Sequence, residues 1–205
     1  SRALFIFNKI IEQILIVALH FQSELRNTDF EPSALETNLM QEKGLSPLVI
    51  KSEKGNIIFT GTVDRIDTYC SENGKKYIRI IDYKSSEKTI EKLFIDNGIN
   101  MQMLLYLFTL TENNNIFSGY SPAGVMYSPV TINAPVADDT RNETENSTHI
   151  NSSLKTSGLL INDDSVLNAM ESGISGKYIP VKVSKSKKTD KNSACISEDS
   201  FSRLR

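Results

Sequence analysis

Three side chains in this sequence have the types and spacing for chemistry on a phosphate: Asp64, Asp82 and Lys84. Asp82 and Lys84 close the run Tyr77-Ile78-Arg79-Ile80-Ile81-Asp82-Tyr83-Lys84, whose β-branched and aromatic residues mark a strand. Residues two apart in a strand share a face, so the acid and the amine point the same way. Asp64 lies in an earlier apolar run, Ile57 to Ile66, that reads as a partner strand. Two carboxylates opposed across a strand pair repel each other unless a cation lies between them. A small set of hard oxygen donors suits Mg²⁺ or Mn²⁺, which keep most of their waters. A lysine beside them can orient the attacking water or stabilise charge developing on a phosphate. The plain alternative is an exposed ion pair at a strand end, which contributes little.

The turn decides whether the acids meet. Ser71-Glu72-Asn73-Gly74-Lys75 separates the two runs and carries an Asn-Gly pair, a strong hairpin signal. A two-residue Asn73-Gly74 loop pairs Glu72 with Lys75 and sets Asp64 against Tyr83, on the wrong side. A three-residue loop with Gly74 left-handed pairs Ser71 with Lys75 and brings Asp64 opposite Asp82. A slip of one residue exchanges every side chain between the faces, and the second arrangement is the one that gathers the acids and the amine. Asp67, three beyond Asp64, faces the other side; with Arg65 two residues away, it reads as half of a structural ion pair outside the metal site.

These residues sit in a larger pattern: Gly61-x-x-Asp64-Arg65-Ile66-Asp67, then Ile81-Asp82-Tyr83-Lys84-Ser85-Ser86, then Gln102-x-x-x-Tyr106. Together they resemble the RecB-like branch of the PD-(D/E)xK nucleases, and more narrowly the nuclease domain of the AddB family in bacterial AddAB. The resemblance extends to Phe30-Glu31-Pro32, Ala123 to Tyr127, Gly158-Leu159-Leu160 and Tyr178 to Val181, and so spans roughly residues 30–201. It implies a metal-dependent DNA exonuclease in which Asp64 and Asp82 bind Mg²⁺ or Mn²⁺ and Lys84 acts on water or phosphate. It also places Glu36 as an upstream carboxylate assisting the metal, although nothing in the local pattern fixes that side chain's direction. Gln102 and Tyr106, four apart on one helical face, are implied to contact the lysine or the DNA backbone. Ser85 and Ser86 are further candidates for backbone contact. The implied partners are a DNA strand or duplex end and an AddA-type helicase/nuclease subunit, in a bacterial cytoplasmic repair complex. AddB proteins carry an iron–sulfur cluster whose cysteines bracket this domain; Cys70 and Cys195 do not match them, so the cluster is expected only in a full-length parent. Two further readings are a RecB-like nuclease outside AddAB, and a silent domain that holds DNA or docks a subunit.

The elements around the motif must supply a scaffold. The 205 residues, 39% hydrophobic and 23% charged with a net charge of −2, are ordinary for one globular domain and show no overall basic coat. DNA contact would rest on local patches, such as the basic run Lys182 to Lys188. The expected fold is α/β, a central mixed sheet flanked by helices in the PD-(D/E)xK manner. Leu4, Phe7, Ile11, Ile14, Leu15 and Ala18 recur at helical spacing and predict an N-terminal helix over 1–28, its apolar stripe packed on the sheet. Polar residues interrupt this run, which argues against a membrane span. Asn100 is a plausible cap for a helix over Met101 to Leu110, Gly124 to Pro129 predicts a strand, and Asp163 to Met170 a short helix. Tyr178 to Val183 also predicts a strand. Residues 134–157, polar and aperiodic, read as a mobile excursion that includes His149. With serine first and no initiator methionine, the chain reads as a piece of a longer protein. It has no phosphate-binding Gly-x-x-x-x-Gly-Lys-[Ser/Thr] loop.

Overall fold

The computed structural model describes residues 2–40, 45–86, 101–112, 116–132, 150–183, 189–190 and 194–204. The elements run α1 (Arg2–Arg26), β1 (Glu31–Asn38), β2 (Leu48–Ser52), β3 (Gly55–Phe59), β4 (Thr62–Cys70), β5 (Lys76–Lys84) and α2 (Gln102–Glu112). There follow β6 (Ser121–Pro129), β7 (Ser157–Ile161), α3 (Asp164–Met170), β8 (Lys182–Val183), β9 (Thr189–Asp190), β10 (Cys195–Ile196) and α4 (Glu198–Leu204). Six strands form one mixed sheet in the order β1-β4-β5-β6-β7-β10, and β2-β3 and β8-β9 form two small ribbons. β5 is antiparallel to β4 and parallel to β6. It is covered on both faces, which explains its continuous buried run Tyr77-Ile78-Arg79-Ile80-Ile81. The core joins Ile66, Ile78 and Ile80 of the sheet to Leu104 and Leu107 of α2 and Leu167 of α3. The expected α/β architecture, a central mixed sheet flanked by helices, is the one observed.

One strand expected over Ile57 to Ile66 is two, β3 and β4, parted at Thr60-Gly61. There the Gly61 carbonyl accepts from Leu39 N (2.9 Å), and the Tyr106 phenol occupies the space beside Gly61. The strand expected over Tyr178 to Val183 shrinks to Lys182–Val183. The N–H groups of Lys177, Tyr178 and Ile179 donate instead to the buried Glu171 carboxylate (3.0, 3.2 and 3.1 Å), so no strand partner is needed. The excursion expected over 134–157 ends earlier than its composition implies: Leu154 is buried with Val17 and Ile132, and Thr156 donates to the Tyr178 carbonyl (2.9 Å). Its stretch 134–149, with His149, lies outside the described residues, as do Asn100 and Ser184 to Lys188 of the basic run.

The N-terminal helix forms, but it does not turn its apolar stripe to the core. Leu4, Phe7, Ile11 and Leu15 are 41% to 59% exposed, and only Val17 and Glu24 of α1 are fully buried. The docked side is instead the row Gln13, Val17, Phe21 and Glu24. Gln13 donates to the Ile132 carbonyl (3.2 Å), and the Phe21 ring lies 5.3 Å from that of Tyr83. Glu24 meets two buried arginines, Arg65 of β4 (3.0 Å) and Arg79 of β5 (3.4 Å). Both arginines also bind Asp67, at 2.7 and 2.9 Å. Burial opposes the charge on Arg65, but hydrogen bonding and attraction to Asp67, with Glu24 adding to it, raise its pKa above the ordinary range. Two guanidinium groups and two carboxylates thus neutralise one another, the condition under which buried charge is tolerated. The expected Arg65–Asp67 ion pair is part of this larger network.

Candidate active site

The β4–β5 hairpin takes the three-residue turn. Ser71 N donates to the Lys75 carbonyl (3.0 Å), Gly74 N donates to the Ser71 carbonyl (2.8 Å), and Gly74 has φ 79°. Only a residue without Cβ takes that left-handed conformation cheaply. The ladder then runs from Cys70 opposite Lys76 to Arg65 opposite Ile81. Asp64 and Asp82 occupy the next level, on the face opposite the arginine network.

Asp64 and Asp82 are differently held. Asp64 Oδ2 accepts the Tyr83 N–H at 2.7 Å, so one of its oxygens is tied to the strand that carries Asp82. Asp82 Oδ2 is buried, lies against the Lys84 ammonium, and has no further hydrogen-bond partner among the described residues. That bond to Asp82 raises the pKa of Lys84, against the opposing pull of burial. On the other side β6 brings Tyr127 level with Asp82. The Tyr127 ring centre is 5.7 Å from Lys84 Nζ. Burial, reinforced by the nearby Asp82 charge, raises the phenol's pKa and keeps it protonated, with Lys84 opposing.

Glu36 falls between the β1–β4 pairs Leu35–Arg65 and Thr37–Val63, at the level of Asp64. It is exposed and has φ 48°, a backbone state costly for a residue with a side chain. The sheet therefore sets Glu36, Asp64, Asp82 and Tyr127 in a row. Among the described residues, no three His, Cys, Asp or Glu side chains converge closely enough to hold a metal ion. A cation here would rest on two carboxylates. The partnerless Asp82 oxygen and the remaining Asp64 oxygen have the right chemistry for a hard ion completed by water.

Gln102 and Tyr106 come together as their helical spacing predicts, Gln102 Nε2 donating to the Tyr106 hydroxyl at 2.7 Å. Gln102 is exposed, whereas the Tyr106 ring is buried against Gly61. A Cβ on Gly61 would lie 1.9 Å from the Tyr106 hydroxyl oxygen, so α2 can approach β4 this closely only at a glycine. Ser85 and Ser86 are exposed just beyond Lys84, and the Ser85 carbonyl accepts from Thr131 (2.7 Å). Sequence reasoning did not find Glu24, Arg79, Tyr127 or the Gly61–Tyr106 contact as parts of the surroundings. Of these, only Gly61 carries a local signal, as a glycine three residues before an acid.

Comparison with known proteins agrees with this geometry. The family model described as "PD-(D/E)XK nuclease superfamily" matches residues 7–172. Proteins named as the second, or AddB-type, component of an ATP-dependent helicase/deoxyribonuclease are similar over most of the chain. The one from Ruminiclostridium cellulolyticum is 35% identical over 188 residues, covering 88% of this chain and 16% of that protein. The one from Anoxybacillus flavithermus is 30% identical over 205 residues, covering 96% of this chain and 18% of that protein. The chain thus spans less than a fifth of the length of these relatives.

Proposed function

Because this chain belongs to the PD-(D/E)XK nuclease superfamily, we propose that it hydrolyses DNA phosphodiester bonds with a divalent cation, as the nuclease module of an AddB-type protein. One observation carries the proposal: the hairpin register that sets Asp64 and Asp82 at one level of one sheet face, with Lys84 beside them. Asp64 and Asp82 would hold Mg²⁺ or Mn²⁺, which when bound polarises a phosphoryl oxygen and lowers the pKa of water. Lys84, two residues beyond Asp82 on the same face, brings positive charge to where charge develops on the phosphate. Glu36, at the level of Asp64, is the third acid within reach of the row.

The remaining residues place the strand. The exposed Gln102 amide presents its carbonyl, while the buried Tyr106 hydroxyl fixes the amide's other end. Ser85 and Ser86 offer exposed hydroxyls to the DNA backbone, contacts that position without reading sequence. Cleavage should therefore follow strand availability and salt more than base sequence. The relatives' names join a helicase to a deoxyribonuclease. By extension the physiological substrate is a DNA end processed with an AddA-type partner, during bacterial cytoplasmic break repair.

The deciding experiment is cleavage of single-stranded DNA with Mg²⁺ or Mn²⁺ by the chain and by Asp82→Ala. The variant should fall to background while its far-UV circular dichroism is unchanged. Cleavage that survives the substitution would end this reading.

A further inference from the structure

The Asp82 oxygen nearest Lys84 is buried, and the lysine ammonium covers it. A divalent cation held by that oxygen would have to occupy the space the ammonium now fills. Lys84 can give way: its side chain is 34% exposed, at the last residue of β5. It also has somewhere to go, since the Tyr127 ring stands 5.7 Å from Nζ, within the range of a cation–π contact. Building on the nuclease reading, we propose that the Lys84 ammonium and a divalent cation are alternatives at Asp82 Oδ2. Binding of the cation moves Lys84 off the carboxylate and onto the face of Tyr127. In that position the lysine is no longer the counter-ion of Asp82 and is available to a phosphate.

The charge balance has a measurable consequence. With Lys84 paired, the two carboxylates present one net negative charge; without it they present two. Removing a unit positive charge a few ångströms from the cation should tighten binding roughly tenfold. A nuclease lysine that only contacts phosphate or water predicts no such gain.

The test is calorimetric titration of Mn²⁺, without DNA, into the chain and into Lys84→Met, Lys84→Gln, Tyr127→Phe, Tyr127→Leu and Asp82→Ala. Both lysine variants should bind Mn²⁺ roughly tenfold more tightly than wild type while failing to cleave DNA. Using two of them keeps the test decisive if one folds poorly by thermal melting. Tyr127→Phe should bind as wild type does, because the ring face is kept. Tyr127→Leu should bind several-fold more weakly, and this loss should vanish when combined with Lys84→Met. Lysine variants that bind Mn²⁺ no more tightly than wild type would overturn the exchange. Asp82→Ala separates the two levels: if it binds Mn²⁺ as well as wild type, the metal-site reading falls and the exchange with it. Binding lost in Asp82→Ala, with no gain in the lysine variants, refutes the exchange alone.

Discussion

At the scale of single residues, Gly61 is where sequence and tertiary structure meet most tightly. It stands three residues before Asp64, and the Tyr106 hydroxyl and ring carbon would lie 1.9 and 2.5 Å from an added Cβ. Tyr106 cannot swing aside, because its ring is buried in the core and its hydroxyl holds Gln102. Gly61→Ala should therefore cost about 1–3 kcal/mol of stability, the usual toll of overpacking. Tyr106→Phe should cost about 1 kcal/mol through the lost hydrogen bond. Removing the hydroxyl also removes the closest clash, so the double variant should cost less than the two single changes together. Urea unfolding of the four proteins measures that difference, and strict additivity would show that the glycine serves another purpose.

At the scale of elements, α3 shows how a short helix is held from its N-terminus. Asp163 accepts from the N–H groups of Ser165 and Val166 (2.9 and 3.2 Å). Burial pushes its pKa up, but the hydrogen bonds from Ser165 and Val166 outweigh it and leave the carboxyl below its ordinary range. A depressed carboxyl stabilises the fold above its unfolded pKa of about 3.9 and loses that effect as pH falls through the folded value. Asp163→Ala should thus cost about 1 kcal/mol near neutrality, and the gap to wild type should narrow as pH falls below about 4. Denaturant melts over that pH range check both. This helix was legible in the sequence because its cap is local, and the β4–β5 hairpin was legible because Asn73-Gly74 and strand alternation are local too. The Tyr178 to Val183 segment was not, because what its N–H groups bind is the Glu171 carboxylate, which composition near residue 180 cannot reveal. The same holds for Tyr127, which the parallel pairing of β5 and β6 brings level with Asp82 from far along the chain.

At the scale of the whole molecule, α1 shows what periodicity leaves undecided. The stripe of Leu4, Phe7, Ile11, Ile14 and Leu15 announces a helix, yet the sheet takes the neighbouring, more polar side. The reason lies across the interface: β4 and β5 present Arg65 and Arg79 there, and Glu24 completes the balance with Asp67. Phe21 then settles against Tyr83, whose own N–H holds Asp64 on the opposite face. The docked face of α1 thus backs the strands that carry the candidate site, while its apolar stripe meets solvent. This division predicts opposite responses on the two sides of one helix. Ile11→Glu combined with Leu15→Lys, at a spacing that also favours a helical ion pair, should change stability by no more than about 0.5 kcal/mol. Glu24→Gln leaves two buried guanidinium groups facing one carboxylate, and should cost about 3–5 kcal/mol. Thermal and urea melts of both variants measure the contrast. A large loss from the Ile11/Leu15 pair together with a negligible one from Glu24 would mean that the stripe, not the charged row, holds the helix to the sheet.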